Sequence, residues 1–362
     1  MTTLATTPAP DPGATARTFT FPGGALGRYL FIRFLLIIPT IFILVTMVFV
    51  IMRVTGDPIT ASQGGRLSPD QLAALIHEAG YDRPIIVQYL EYLGQIFTGD
   101  LGTTISTNRP VVEVLTTYGP ASLELAFYGM LVAFVVGIPL GLLAAYHRDK
   151  APDATFRVFA VLAYATPVFF AGIMLKLVFS VWLGWLPVSG RASTGAELQM
   201  QLLPNPTGLY TIDAIMTGDP EVLADVLQHA VLPALVLGLA TASIFLRLVR
   251  TNVIGTFSTE YVDAARSRGV REYRLVRTHA YRPALIPIIT VIGLQVAIVL
   301  GGAVLTETTF EWKGLGFILT EFLRARDFVA VQGIVVLLAI IVALTNFIVD
   351  VIAAVIDPRV RY

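Results

Sequence analysis

Apolar residues in this chain come in long unbroken stretches separated by polar segments, not in strict alternation. Six stretches are readable, at about 30–52, 122–146, 157–183, 230–249, 288–306 and 331–356. Each matches the roughly 18 apolar residues that mark a helix able to cross a bilayer. The pattern predicts an all-α membrane protein with six transmembrane helices. Pro167 and Pro233 interrupt the third and fourth stretches. Proline is tolerated in spans where neighbouring helices resupply the freed backbone groups, so these kinks predict a packed bundle. Gly137-Ile138-Pro139-Leu140-Gly141 places small residues four apart, a spacing that permits close helix approach.

The segments between the spans carry helix signals of their own. Residues 53–120 form a long loop in which Ser68-Pro69-Asp70-Gln71 reads as a capping box with proline at the first helical position. Leu72, Leu75, Ile76 and Ala79 then share a face, and Gly80 ends the helix. Pro84 opens a second helix with Ile85, Tyr89, Leu90 and Leu93 on one side. Residues 184–229 form another loop, in which Asp219-Pro220-Glu221 marks a helix start. Such helices either cap the bundle or receive an external partner, and the pattern does not choose. Residues 1–27, rich in Thr, Ala, Pro and Gly, read as a disordered tail. The apolar run that follows is too long for a signal-peptide core and lacks a small-residue cleavage site.

Residues 250–287 are the most polar interruption between two spans. Ser258 or Thr259 can cap a short helix, with Glu260 and Asp263 in the first turn, where the helix dipole favours anions. Ala264 and Ala265 form a low-profile surface beside Tyr261 and Val262. Gly269 suits a left-handed stop. A second short helix follows from Arg271 to about Ala280, with Tyr273, Leu275 and Val276 available for burial. Arg266, Arg268, Arg271, Arg274 and Arg277 can form charge-assisted hydrogen bonds around a docked partner. A solvated basic loop facing anionic lipid is the plainer alternative.

Composition removes several function classes. Of 362 residues, 55% are hydrophobic and 14% charged, which excludes a soluble fold. Lys+Arg and Asp+Glu are both 25, so net charge gives no pointer to nucleic acid. The absence of cysteine excludes disulfides, thiolate metal sites and cysteine nucleophiles. His77-Glu78 is followed by Tyr81 where a zincin helix needs its second histidine, so no metal site is expected. Charge distribution says more. With the N-terminus inside, sixteen basic residues fall in inner segments, including eight arginines from Arg247 to Arg282, against eight in outer ones. That bias predicts N-in and C-in, with 250–287 in the cytoplasm.

Charges inside a bilayer are costly and hence functional candidates. Lys176 lies about 10 Å from the outer end of its span. It either snorkels or packs, or attracts a substrate carboxylate. Glu124 and Glu307 fall near outer span ends and Asp350 near an inner one, where interfacial placement explains them. Gln295, mid-span, must line a cavity or bond a neighbouring helix. Lys176, Gln295 and Glu307 are therefore the candidates for a translocation path.

Asp263-Ala264-Ala265, three residues, Gly269, nine residues to His279, and then Leu285-Ile286-Pro287 resemble the EAA motif of ABC importer permeases. The histidine variant and Ala280-Tyr281-Arg282-Pro283 look like the dipeptide/oligopeptide/nickel subfamily. So do Thr55-Gly56-Asp57-Pro58, Asp82-Arg83-Pro84, Gly99-Asp100-Leu101-Gly102, and Glu307-Thr308-Thr309-Phe310 with Gly314-Leu315-Gly316. The likeness covers residues 28–362, with Lys313 where the family usually has proline. It implies a type I ABC importer permease fold and transport of di- or oligopeptides, with nickel, haem or another small solute as the alternative. It further implies a second homologous permease, ABC ATPase subunits and an external solute-binding protein as partners. Glu260, Tyr261, Asp263, Ala264, Ala265, Arg266 and Gly269 would form the ATPase-coupling helix. The chain has no G-x-x-x-x-G-K-[ST] loop, so ATP and magnesium are expected on partner subunits, with no cofactor and no catalysis on this chain. An ion-coupled secondary transporter would need intramembrane acid pairs and inverted repeats, and an intramembrane enzyme a paired constellation at membrane depth. Neither is apparent.

Overall fold

The computed structural model describes residues 24–356 except 55, 64, 66 and 258. The tail up to residue 23, the alternative cap Ser258, the side chains of His279, Arg282, Leu285 and Ile286, and residues 357–362 lie outside the described residues.

Among the described residues the secondary structure is helical, with one isolated bridge between Thr103 and Pro110. In chain order the helices are α1 (Gly24–Val54), α2 (Pro58–Gln63), α3 (Pro69–Glu78), α4 (Ile85–Thr98) and α5 (Val111–Tyr146). Then come α6 (Ala151–Ala165), α7 (Val168–Leu175), a π-helical turn at Lys176–Trp182, α8 (Thr194–Gln201) and α9 (Tyr210–Thr217). The rest are α10 (Pro220–Thr256), α11 (Glu260–Ser267), α12 (Glu272–Arg274), a second π-helical turn at Leu275–Ala280, α13 (Tyr281–Phe310), α14 (Leu315–Arg324) and α15 (Phe328–Ile356).

Four helices, α1, α5, α10 and α15, are long and apolar enough to cross a membrane alone. Two bent pairs bring the number to as many as 6: α6 with α7, bent by 104°, and the two parts of α13, bent by 41°. The first bend follows from Pro167, which biases Thr166 out of the helical region, to φ −74°, ψ 123°. Pro233, expected to interrupt the fourth span, instead sits buried inside a continuous α10.

α5 and α10 run parallel and form the spine. Gly129, Gly137 and Gly141 of α5 meet Leu237, Ala242 and Val249 of α10 in that order. A Cβ on Gly137 would lie 2.6 Å from the Ala242 carbonyl oxygen, and one on Gly141 2.7 Å from Val249 Cβ. Only glycine lets the two backbones approach so closely. α13 lies across this spine through Val299, Leu300 and Ala303. α15 packs on α13 and carries α1 outermost, where Phe34 meets Phe347 edge-on and Arg33 reaches Asp350 at 3.4 Å.

The chain shuttles between two ends of the bundle. One end, here called near, gathers Arg33, Asp153, Arg250, α11 and Asp350. The far end gathers α2–α4, α8, α9 and α14. α5 starts earlier than its apolar stretch predicts because Val111, Val114 and Leu115 are buried against Leu315, Phe322 and Ile334. α10 likewise starts at Pro220, where Asp219 accepts from Glu221 N–H at 2.8 Å, and runs unbroken into the span. The expected capping box is present: Ser68 and Gln71 satisfy each other's backbone N–H groups.

The two far-end regions behave differently. α8 and α9 cap the bundle, burying Ala196, Met200 and Ala214 against Val222 and Val226 of α10. α3 and α4 have no fully buried residue; Ile85 and Leu90, which share an apolar face of α4, are each 61% exposed.

Replacing Gly141 by leucine is expected to lower the thermal midpoint of the detergent-purified protein, overpacking costing about 1–3 kcal/mol. Gly119→Ala, with nothing within 4 Å of its added Cβ, should leave the midpoint unchanged or raise it. Equal midpoints for the two variants would refute the spine contact.

Candidate functional site

The near-end element between α10 and α13 is a self-contained fold. Val262 and Ala265, one helical turn apart on α11, are buried against Leu275, Phe257 and Val270. Gly269 makes the turn at φ +77°, a left-handed conformation suited to glycine. Arg266 ties the turn together, donating to Asp263 at 2.7 Å and to Glu272 at 2.9 Å, with its guanidinium over Phe257.

This core divides the expected coupling residues. Ala265 is turned inward, so it is not part of the surface expected for it; burial against Leu275 is worth more than exposing a methyl. Glu260, Tyr261, Asp263, Ala264 and Arg266 remain exposed on the outer side. Thr259 occupies the cap position but does not cap: its hydroxyl donates to the Thr256 carbonyl at 2.6 Å. The helix expected from Arg271 to Ala280 is a short α12 passing into a π-helical turn that leads directly into α13. Leu275 and Val276 are buried as expected, whereas Tyr273 is 55% exposed, its ring edge-on to Tyr146.

The element is fastened to the bundle by an apolar patch, with a buried salt bridge next to it. Val276, Ala280, Ala284 and Ile288 pack against Ala145, Val249 and Val253. Beside them Asp153 is fully buried and grips Arg250 with two bonds, at 2.6 and 2.7 Å, while accepting from Asp149 N–H at 3.1 Å. The clamp joins the start of α6 to the last turns of α10, just ahead of α11. Sequence reasoning missed it. The only signal was an acid beside Arg157 at the foot of a span.

At the far end, α13 ends in a polar knot. The buried Glu307 carboxylate accepts from Ser122 Oγ at 2.5 Å and from Phe317 N–H at 2.8 Å. It thus satisfies the first turn of α14, whose cap residue Gly314 has no side chain to do so. A Cβ on Gly314 would lie 2.6 Å from that carboxylate, which accounts for the glycine in Gly314-Leu315-Gly316. Trp312 is buried and donates to the Ala121 carbonyl at 2.9 Å, while Lys313 stays exposed, so the turn closes without a proline there. Glu124 is also buried within the bundle. It pairs with Arg191 at 2.6 Å and accepts from Thr211, binding the α8–α9 cap to α5. Asp327, buried at the start of α15, accepts from Ser106 N–H at 2.8 Å and from its hydroxyl at 2.7 Å.

The three residues expected along a path are not brought together. Lys176 packs: its ammonium donates to the Thr309 carbonyl at 2.8 Å, near the Phe310 ring. Glu307 is committed to Ser122 and α14. Gln295 is buried at 4% exposure with Oε1 unbonded, about 18 Å along α13 from Glu307.

The described residues thus form a helical bundle with a small element between its fourth and fifth apolar stretches. Residues 137–362 match the family described as binding-protein-dependent transport system inner membrane component, and residues 26–121 match its N-terminal family. The chain belongs to that family of inner-membrane transport subunits. It is 39% identical over 339 residues to the dipeptide transport system permease protein DppB of Escherichia coli K12, covering 92% of this chain and 99% of that protein. It is 37% identical over 329 residues to the di/tripeptide transport system permease protein DppB of Pseudomonas aeruginosa, covering 90% and 96%. It is similar in fold to a chain of the inward-facing MetNI methionine ABC transporter, with a TM-score of 0.50 at 16% identity, covering 67% of this chain and 96% of that one.

Asp153→Ala leaves Arg250 largely buried without its partner and is expected to destabilise the protein by roughly 3 kcal/mol. Glu272→Gln, at an exposed pair, should cost under about 1 kcal/mol. Thermal midpoints measured side by side test this; equal shifts would mean that the clamp carries no strain-bearing role.

Proposed function

We propose that the chain is one transmembrane half of an ATP-binding-cassette importer of di- and oligopeptides. The observation that carries this is near full-length similarity to dipeptide permeases of two bacteria. In this reading the chain crosses the membrane six times with both ends inside, as the excess of basic residues around α11 favours. It pairs with a second, homologous permease, sits on ABC ATPase subunits that bind ATP and magnesium, and receives peptide from an external binding protein.

The exposed face of α11, from Glu260 through Tyr261, Asp263 and Ala264, is the surface offered to an ATPase. Arg266 braces it from the side and Gly269 permits the turn behind it. The element has its own small core, packs on α5 and α10, and is continuous with α13. A push on α11 is therefore delivered to the spans as a unit, as a two-state rigid-body switch requires. Gln295, buried and with a free carbonyl oxygen, is the best placed of the polar span residues to face a peptide passing the bundle.

Ala264→Arg changes the exposed face without touching the Val262–Ala265–Leu275 core. It should abolish co-purification of the ATPase and peptide uptake while membrane insertion and thermal midpoint stay normal. Gly269→Pro should do the same through the turn, since proline cannot adopt φ +77°. Wild-type ATPase recovery with Ala264→Arg would reject the docking face. Uptake of a labelled dipeptide by the wild-type complex, competed by unlabelled dipeptide but not by nickel or haem, tests the substrate class.

A further inference from the structure

Three residues that line one cavity of about 280 Å³ at the far end of α1 each carry a buried polar atom without a hydrogen-bond partner. The atoms are Arg53 Nε, Gln88 Oε1 and Tyr92 OH. Each is held in place by other contacts. The Arg53 guanidinium lies 4.4 Å from the centre of the Tyr81 ring and 5.2 Å from that of Phe49. Gln88 Nε2 donates to the Tyr81 and Arg83 carbonyls at 2.9 and 2.7 Å, which fixes its amide and leaves the oxygen unbonded. Tyr92 stacks on Phe49 with centroids 5.4 Å apart, and burial pushes its phenol up, so it remains a donor. Burying a polar group without a partner is costly. Three such groups around one cavity mark a place built for a polar guest.

The chemistry of that guest can be read from the donors. Arg53 and Tyr92 offer N–H and O–H beside a full positive charge, which selects an anionic oxygen group. Gln88 offers an acceptor, and Glu91, paired with Arg83 at 2.5 Å, and Asp100, which accepts from Gly102 N–H at 2.9 Å, also line the cavity, so negative charge suited to an ammonium group lies nearby. The surroundings are apolar. α4 packs on the far half of α1, through Tyr89 against Phe49 and a Tyr89–Thr46 hydroxyl contact at 2.6 Å. α1 exposes Met47, Val50 and Val54 there, and α4 exposes Ile86, Leu90 and Phe97, the last at 87%. This apolar apron is continuous with a membrane span, as acyl chains require and a free anion does not.

We propose that the cavity seats the phosphate and ammonium of a phosphatidylethanolamine-type lipid, with its acyl chains lying along α1 and α4. The phosphate takes the bonds of Arg53 and Tyr92, and the ammonium sits toward Gln88 and Glu91. The lipid belongs to the leaflet at the far end, the outer one in the orientation proposed above. The site is independent of which solute is carried.

Native mass spectrometry of the full-length chain in its assembled complex, released from phosphatidylethanolamine/phosphatidylglycerol nanodiscs, tests the site. The wild type should retain phosphatidylethanolamine, and Arg53→Gln and Tyr92→Phe should each cut retention on the order of tenfold, the loss of one charge-assisted bond. Unchanged thermal midpoints would show that both variants fold. Wild-type retention in both variants, or no retention by the wild type, would overturn the proposal and leave water as the guest. Displacement by inorganic phosphate would overturn it in favour of a free-anion site. The chain has no native cysteine, so Phe97→Cys can carry a single spin label. Relaxation by a lipid-borne agent is expected; a label shielded in the complex would mean that the second permease, not lipid, covers α4.

Discussion

Everything in this bundle is referred to the contact between α5 and α10, where two long helices approach backbone to backbone. Lipid is as apolar as leucine, so burial alone gives helices in a bilayer little reason to associate. Close packing and interhelical bonds must do the work instead. Glycines at 129, 137, 141 and 238 remove the side chains that would hold the helices apart. The resulting spine sets where α13 lies, and through it where α15 and α1 lie.

The two ends are locked by a second principle. A buried carboxylate in a medium of low dielectric is tolerated only with partners around it. Glu307, Glu124, Asp327 and Asp153 are all buried, and each joins elements that are remote in sequence. Glu307 gives α14 the acceptor that Gly314 cannot supply. Glu124 holds the α8–α9 cap through Arg191. Asp327 ties the first far-end loop to α15 through Ser106, and Asp153 ties α6 to α10. Glu124 and Glu307, which fall near outer span ends in the sequence, serve as clasps within the fold. Gln295, midway along α13, is among the described residues a buried polar group with an unbonded oxygen.

The near-end element shows how force transmission and docking are separated within one short segment. Its inner residues, Val262, Ala265 and Leu275, make it a unit; its outer residues, from Glu260 to Ala264, make it a surface. Arg266, with one bond to Asp263 and one to Glu272, links α11 to α12 across the glycine turn. The π-helical start of α13 makes the element continuous with a span, not hinged from it.

Much of this was legible in the chain itself. Hydrophobic run length determined that the protein is helical and membrane-borne, because a bilayer demands a fixed length of apolar helix. Cap and turn residues placed α3, α4 and the Gly269 turn, because those signals act within a few residues. The glycine pair at 137 and 141 announced a close helix contact, though not with which helix. What the tertiary structure decided is every pairing across the chain. Which face of α11 is buried, that Ala265 turns in and Tyr273 out, and that α5 begins at Val111, well before its apolar run, all depend on neighbours distant in sequence. So do the buried carboxylates: an acid at the end of an apolar stretch looks the same whether water or a serine 185 residues away satisfies it. Local sequence fixes conformation where the deciding contacts are local, and the carboxylate clasps are decided by contacts that only the folded chain creates.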